Sequence, residues 1–145
     1  MTETTLRFMP PPFLNEPYAD EWTAPFWEAC QQQRLVIPRC TSCGRTRMPP
    51  TRFCPQCRKQ GLEFAPISGR GVVFTFIVVR HALYPGMEEY VPYVPAAIDA
   101  EGGGPARFVS NVVNCDPEDV RIGMDVKVVW HEVNKSFFLP LWEPA

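Results

Sequence analysis

Apolar and polar positions follow two regimes along this chain. Over residues 21–33, Trp22, Phe26 and Ala29 or Cys30 recur at a spacing near four, and Pro25 suits a first turn, so one short amphipathic helix is predicted. From residue 71 onward the pattern becomes β-branched and aromatic. Residues 71–80, 94–100, 106–113, 125–131 and 136–141 each predict a strand. Gly102, Gly103 and Gly104 mark a turn between the second and third of these; no helix follows them, so they do not form a phosphate loop. Residues 116–119 predict one helical turn, ended by Gly123 before the fourth strand. Residues 1–20 are proline-rich and aperiodic, which predicts an arm; its apolar members Phe8, Phe13, Leu14 and Tyr18 favour an arm lying on a surface over a solvated tail.

Between helix and strands stand four cysteines in two pairs, Cys40-x2-Cys43 and Cys54-x2-Cys57, with ten residues between the pairs. Each pair turns two sulfurs toward one point, and two such turns complete the tetrahedral thiolate shell of a zinc ion. All four positions are protein ligands, which leaves none for water or substrate, so the metal is expected to be structural. Gly44 and Pro55 follow cysteines where a knuckle needs turn residues. Tetrahedral sulfur ligation suits iron as well as zinc, and the spacing alone leaves both open. Disulfides are not expected, because no segment combines a charged start, an apolar run and a small-residue cleavage site; a reducing, cytoplasmic setting follows.

The chain has 145 residues, 17 of them proline, which disfavours a helical bundle and suits short strands and loops. No apolar run approaches the length that spans a bilayer, so a soluble protein is expected. The reading is a mostly β chain: arm and helix over residues 1–36, a rubredoxin-like zinc ribbon over 37–66, and a five-stranded Greek-key barrel of OB type with an apolar tail over 67–145. Charge is uneven. Arg34, Arg39, Arg45, Arg47, Arg52, Arg58 and Lys59 lie between Cys30 and Leu62 with no acidic residue among them, on a chain whose net charge is −2. Part of this cluster compensates the formal charge of a tetrathiolate zinc centre; the remainder can meet phosphates.

Catalytic signals are weak. His81 and His131 have no serine, cysteine or acid beside them in a nucleophile motif, and Cys115, read as an exposed thiol before an Asp-Pro turn, has no accompanying base. Phe137-Phe138-Leu139-Pro140-Leu141-Trp142 reads as apolar surface in excess of what a small barrel buries, and hence as an interface; the competing reading is that Phe138 and Leu141 close the barrel floor.

The helix with Phe26-Trp27-Glu28, residues 35–40, Cys43-Gly44, Pro49-Pro50, Cys54-Pro55-x-Cys57, residues 69–75 and Arg121-Ile-Gly-Met-Asp-Val126 together resemble the zinc-ribbon plus OB-fold, acyl-CoA-associated family known as domain of unknown function thirty-five. The resemblance covers roughly residues 22–144. It implies a non-catalytic accessory subunit of a thiolase-superfamily partner (a thiolase, acyltransferase or steroid side-chain aldolase) in a hetero-oligomer, the partner holding the catalytic residues. Under that reading Arg45, Arg47 and Arg52 are candidate contacts for coenzyme A phosphates. Trp22, Phe26, Tyr84, Tyr90, Tyr93, Phe138 and Trp142 are candidates for the partner interface, with the three tyrosines on or beside a long loop over residues 81–95. The alternative is a single-stranded nucleic-acid module in which Phe74, Phe76, Tyr90, Tyr93 and Phe108 stack bases while Arg45, Arg47 and Arg52 track the backbone. The acidic balance of the barrel segment disfavours it.

Overall fold

The computed structural model describes residues 5–13 and 15–145; residues 1–4 and Leu14 of the arm lie outside the described part. One helix, α1 (Ala24–Gln31), precedes seven strands: β1 (Val36–Cys40), β2 (Leu62–Pro66), β3 (Arg70–Phe76), β4 (Val94–Ala100), β5 (Phe108–Val112), β6 (Asp125–Asn134) and β7 (Phe137–Pro144). A single 3-10 turn at Pro117–Asp119 stands between β5 and β6.

The helix is shorter than its periodicity. Asp20 Oδ1 accepts from the backbone N–H groups of Trp22 (2.9 Å) and Thr23 (2.8 Å), so a side-chain-held turn precedes the regular helix, which starts at Ala24. Gln33 adopts φ 55, which ends the helix, and the Arg34 N–H closes back on Ala29 O at 2.9 Å.

Strands β1 and β2 form an antiparallel ribbon in the register Val36↔Pro66 to Cys40↔Leu62. The sequence pattern did not predict either of them: Pro38 and Pro66 withhold ladder N–H groups, which only a short two-stranded ribbon tolerates. The remaining five strands close a barrel in the order β3-β4-β5-β7-β6, with β3 pairing β6 to complete the ring. The seam between β5 and β7 is the one parallel pair, joined at Val112↔Trp142. Residues 77–80, read as part of the first long strand, leave the regular ladder after Phe76 but keep antiparallel contact through the Val79↔Tyr93 bridge.

Helix α1 plugs this barrel. Phe26, Ala29 and Cys30 are buried, and the Phe26 ring lies 6.3 Å from Phe108, which in turn lies 6.0 Å from Trp142. Phe26 and Trp142 are therefore not partner surface: at 2% and 0% exposure they are the chain's own core. The apolar run 137–142 is correspondingly not surplus, since β7 pairs with β6 along its length and Pro140, Leu141 and Trp142 are buried. Phe138 is half-buried and packs against the core. Cys115 is likewise a buried thiol, not an exposed one.

The arm lies on the barrel. Arg7 N–H donates to Asn114 Oδ1 at 2.7 Å, and Asn114 N–H donates to Arg7 O at 2.8 Å. The triple-glycine turn has a specific occupant. Thr46, from the ribbon, donates its hydroxyl to Gly103 O at 2.6 Å and accepts from Ala106 N–H at 3.4 Å. A Cβ at Gly104, whose φ is +59, would stand 2.8 Å from Thr46 Oγ1. Gly104→Ala is expected to lower stability by about 1–3 kcal/mol, through the strained φ and the crowded hydroxyl together. In a Thr46→Ala background the crowding term disappears, so a denaturation double-mutant cycle should return a non-zero coupling.

Candidate functional site

The two knuckles repeat one local geometry. In the first, Cys40 N–H donates to Arg45 O (2.8 Å) and Gly44 N–H to Cys40 O (3.0 Å); in the second, Cys54 N–H donates to Lys59 O (3.0 Å) and Arg58 N–H to Cys54 O (2.9 Å). Gly44 and Arg58 occupy equivalent places with φ 80 and φ 64. Strand β1 delivers Cys40 to the first turn, and the β1–β2 pairing places the second turn opposite.

All four sulfurs lie within 4.8 Å of one another, with Cys40 Sγ to Cys57 Sγ at 3.6 Å and Cys43 Sγ to Cys54 Sγ at 3.5 Å. A zinc ion bound at about 2.3 Å by four thiolates sets its sulfurs about 3.8 Å apart, so these residues fit a closed tetrahedral site. Backbone donors prepare the charge. The N–H groups of Cys43 and Ser42 pull the Cys40 thiol down to about 6, and those of Cys57 and Gln56 lower Cys54. With a full protein shell, the centre serves as structural zinc and supplies folding free energy, not Lewis-acid chemistry.

The three arginines singled out by charge do not converge. Arg45 is exposed and donates to Gln56 Oε1 at 3.1 Å, bridging the knuckles. Arg52 lies 3.4 Å from Glu21 Oε1 and 5.5 Å over the Trp22 ring. Arg47 is only 6% exposed, and its Nε and Nη2 donate to Thr51 O at 3.1 and 2.6 Å. A guanidinium spent on a neighbouring carbonyl beneath the surface is not a phosphate contact, so Arg47 leaves that set.

Tyr84, Tyr90 and Tyr93 are half-buried around the anchor of their loop, Met87, which is 1% exposed. Tyr84 and Tyr93 share a hollow with Pro10 to Phe13 of the arm, and Tyr90 shares another with Leu6, Phe8 and Met9. Large exposed apolar side chains that residue pattern did not single out include Leu83, Val109, Ile77, Ile122 and Phe53. Alternation cannot reveal them: an outward Val109 on β5 carries the same residue type as its inward neighbours. Between the ribbon, the helix and the β5–β7 seam runs an apolar groove of about 320 Å³, lined by Trp27, Met48, Pro49, Val109 and Leu139, with Phe13 at its side.

Among the described residues neither histidine makes a side-chain hydrogen bond; His81 is exposed, and burial lowers the pKa of His131. Burial, then the Asp119 and Asp116 carboxylates, push the Cys115 thiol up, which disfavours a nucleophilic thiolate. Of the aromatics offered for base stacking, Phe108 is core, and the exposed Phe74 has the Arg107 guanidinium 3.6 Å over its ring, with Arg107 Nε on Asp99 Oδ1 at 2.7 Å. No helix among the described residues is long and apolar enough to cross a membrane.

Two family models match. Residues 27–63 fit "ChsH2, rubredoxin-like zinc ribbon domain" and residues 65–131 fit "ChsH2, C-terminal OB-fold domain". A "DUF35 domain-containing scaffold protein" of Methanocaldococcus jannaschii is 36% identical over 119 residues, 81% of this chain and 82% of that one. A "Probable enoyl-CoA hydratase alpha subunit" of Thermomonospora curvata is 38% identical over 121 residues, covering 83% of this chain; the match spans only 37% of that relative's length. Among solved structures, a chain of "Ltp2-ChsH2(DUF35) aldolase" superposes with TM-score 0.76 at 35% identity, covering 89% of this chain and 98% of that one. By sequence, ribbon and barrel alike, the chain belongs to the DUF35 family.

Proposed function

We propose that this chain is a non-catalytic scaffold subunit of an acyl-CoA enzyme, and that its partner is a thiolase-superfamily protein, acting as thiolase, acyltransferase or steroid side-chain aldolase. The observation that carries this is the match to nearly the whole of a chain from the Ltp2-ChsH2(DUF35) aldolase. The names of the other relatives, a scaffold protein and a hydratase alpha subunit, support the same class.

The chain's own chemistry agrees. Among the described residues the clearest built site is a closed metal shell, His81 is exposed without a side-chain hydrogen bond, and Cys115 is buried. Its exposed apolar residues, with the half-buried Tyr84, Tyr90 and Tyr93, provide rigid contact area for a protein partner. Arg45 and Arg52, at the surface of the ribbon, are the residues left to meet coenzyme A phosphates. The setting is the cytoplasm.

Mild affinity purification from the native cell, followed by mass spectrometry, tests this. The expected result is a near-stoichiometric thiolase-fold protein, lost or weakened when Tyr84, Tyr90 and Tyr93 are all changed to serine. Recovery of RNA or single-stranded DNA instead, released steeply as salt rises, would replace the scaffold reading with the nucleic-acid one.

A further inference from the structure

The loop between the two ligand pairs is also a wall of the apolar groove. Residues 44–53 contain no helix or named strand, yet they place Met48, Pro49 and Pro50 against the groove. Both ends of this loop are metal ligands, Cys43 and Cys54, whose sulfurs stand 3.5 Å apart. Inside it, Arg47 ties the middle to Thr51 O, and Thr46 ties its start to Gly103 O of the barrel turn. The Arg47 side chain is 6% exposed, so its end of the clamp lies beneath the loop, while Thr51 stands at the surface.

We infer that the ribbon metal sets the shape of this groove. With the four thiolates sharing one cation, the ten-residue loop is closed at both ends, and the arginine clamp transmits that closure to Met48 and Pro49. Without the cation only sulfur–sulfur contact joins Cys43 to Cys54, the loop ends separate, and the closure entropy already lost on forming the wall is regained by opening it. The barrel does not depend on that loop for its centre: Val73, Ile98, Val112 and Val126 come from β3, β4, β5 and β6. The apolar surface the protein presents is therefore metal-dependent, and the barrel beneath it is not. This holds whatever partner the groove meets, so its test is independent of the scaffold reading.

Methyl NMR on the full chain reads it directly. On chelation, the methyl signals of Met48, Val109 and Leu139 are expected to leave their native positions, returning with added zinc or cobalt, while those of Val73, Ile98 and Val126 stay. Groove methyls that keep their positions in the metal-free protein would overturn the inference; so would core methyls that collapse together with them. Arg47→Ala separates the clamp from the metal: cobalt-thiolate absorption should persist while Met48 shifts. Unchanged Met48 signals in that variant, with metal bound, would remove the proposed route.

Discussion

Replacing Cys40 with serine is expected to abolish stoichiometric metal and unfold the ribbon, the largest single effect available in this chain. A segment of two knuckles and a two-stranded sheet buries too little apolar surface to fold alone, whereas binding of structural zinc by such ligand sets is worth on the order of 10 kcal/mol. Metal content by elemental analysis and the thiol count by alkylation check it: the variant should carry no metal and expose its three remaining ligands, with Cys30 still protected in the core. Acid should do the same to the native chain. Backbone N–H donors pull the Cys40 thiol down from the ordinary 9.0 while its neighbour Cys43 is pushed up, so the cluster shares its protons, and the stability carried by the Cys40 thiolate is present at high pH and lost as pH falls. Protons compete with the cation for these thiolates, so metal retention is expected to weaken as pH falls. Retention of metal by Cys40→Ser would refute the ligand assignment.

Trp142→Ala is expected to cost about 3–5 kcal/mol, the second largest effect. The indole is wholly buried, packs on Phe108, and sits at the parallel pairing that joins β5 to β7. Its carbonyl also accepts from Val113 N–H at 2.7 Å. Removal of the ring thus opens a cavity at the point where the barrel closes. Trp142→Phe should be far milder, since Trp142 Nε1 has no hydrogen-bond partner among the described residues and phenylalanine keeps most of the volume. Urea denaturation of both variants checks this; a small loss for alanine would mean that β7 is not what closes the ring.

Legibility of this chain tracked how local the determining interaction is. The zinc ligands could be read because a C-x2-C turn is made by four consecutive residues. The barrel strands could be read because alternation is a property of one strand at a time. Strands β1 and β2 could not, since their pairing joins residues 36–40 with 62–66 and their prolines argue against strands when each is read alone. Arg47 and Trp142 show the other limit. Residue type gives an arginine to the surface and leaves a late apolar run ambiguous, whereas Arg47 folds back on Thr51 and Trp142 packs on Phe108, more than thirty positions away. The triple glycine was recognisable as a turn; that it makes room for Thr46 was not, because the threonine arrives from another part of the sequence.

The Arg107 guanidinium above Phe74 bears on what this face of the barrel can receive. Outward aromatics on these strands are where an OB barrel seats planar ligands. Here the exposed Phe74 ring of β3 has the chain's own cation stacked on it, and Asp99 pairs with that cation. A nucleobase arriving at this face would have to evict a paired arginine before it could stack. This face of the barrel thus carries its own built-in competitor for a planar ligand.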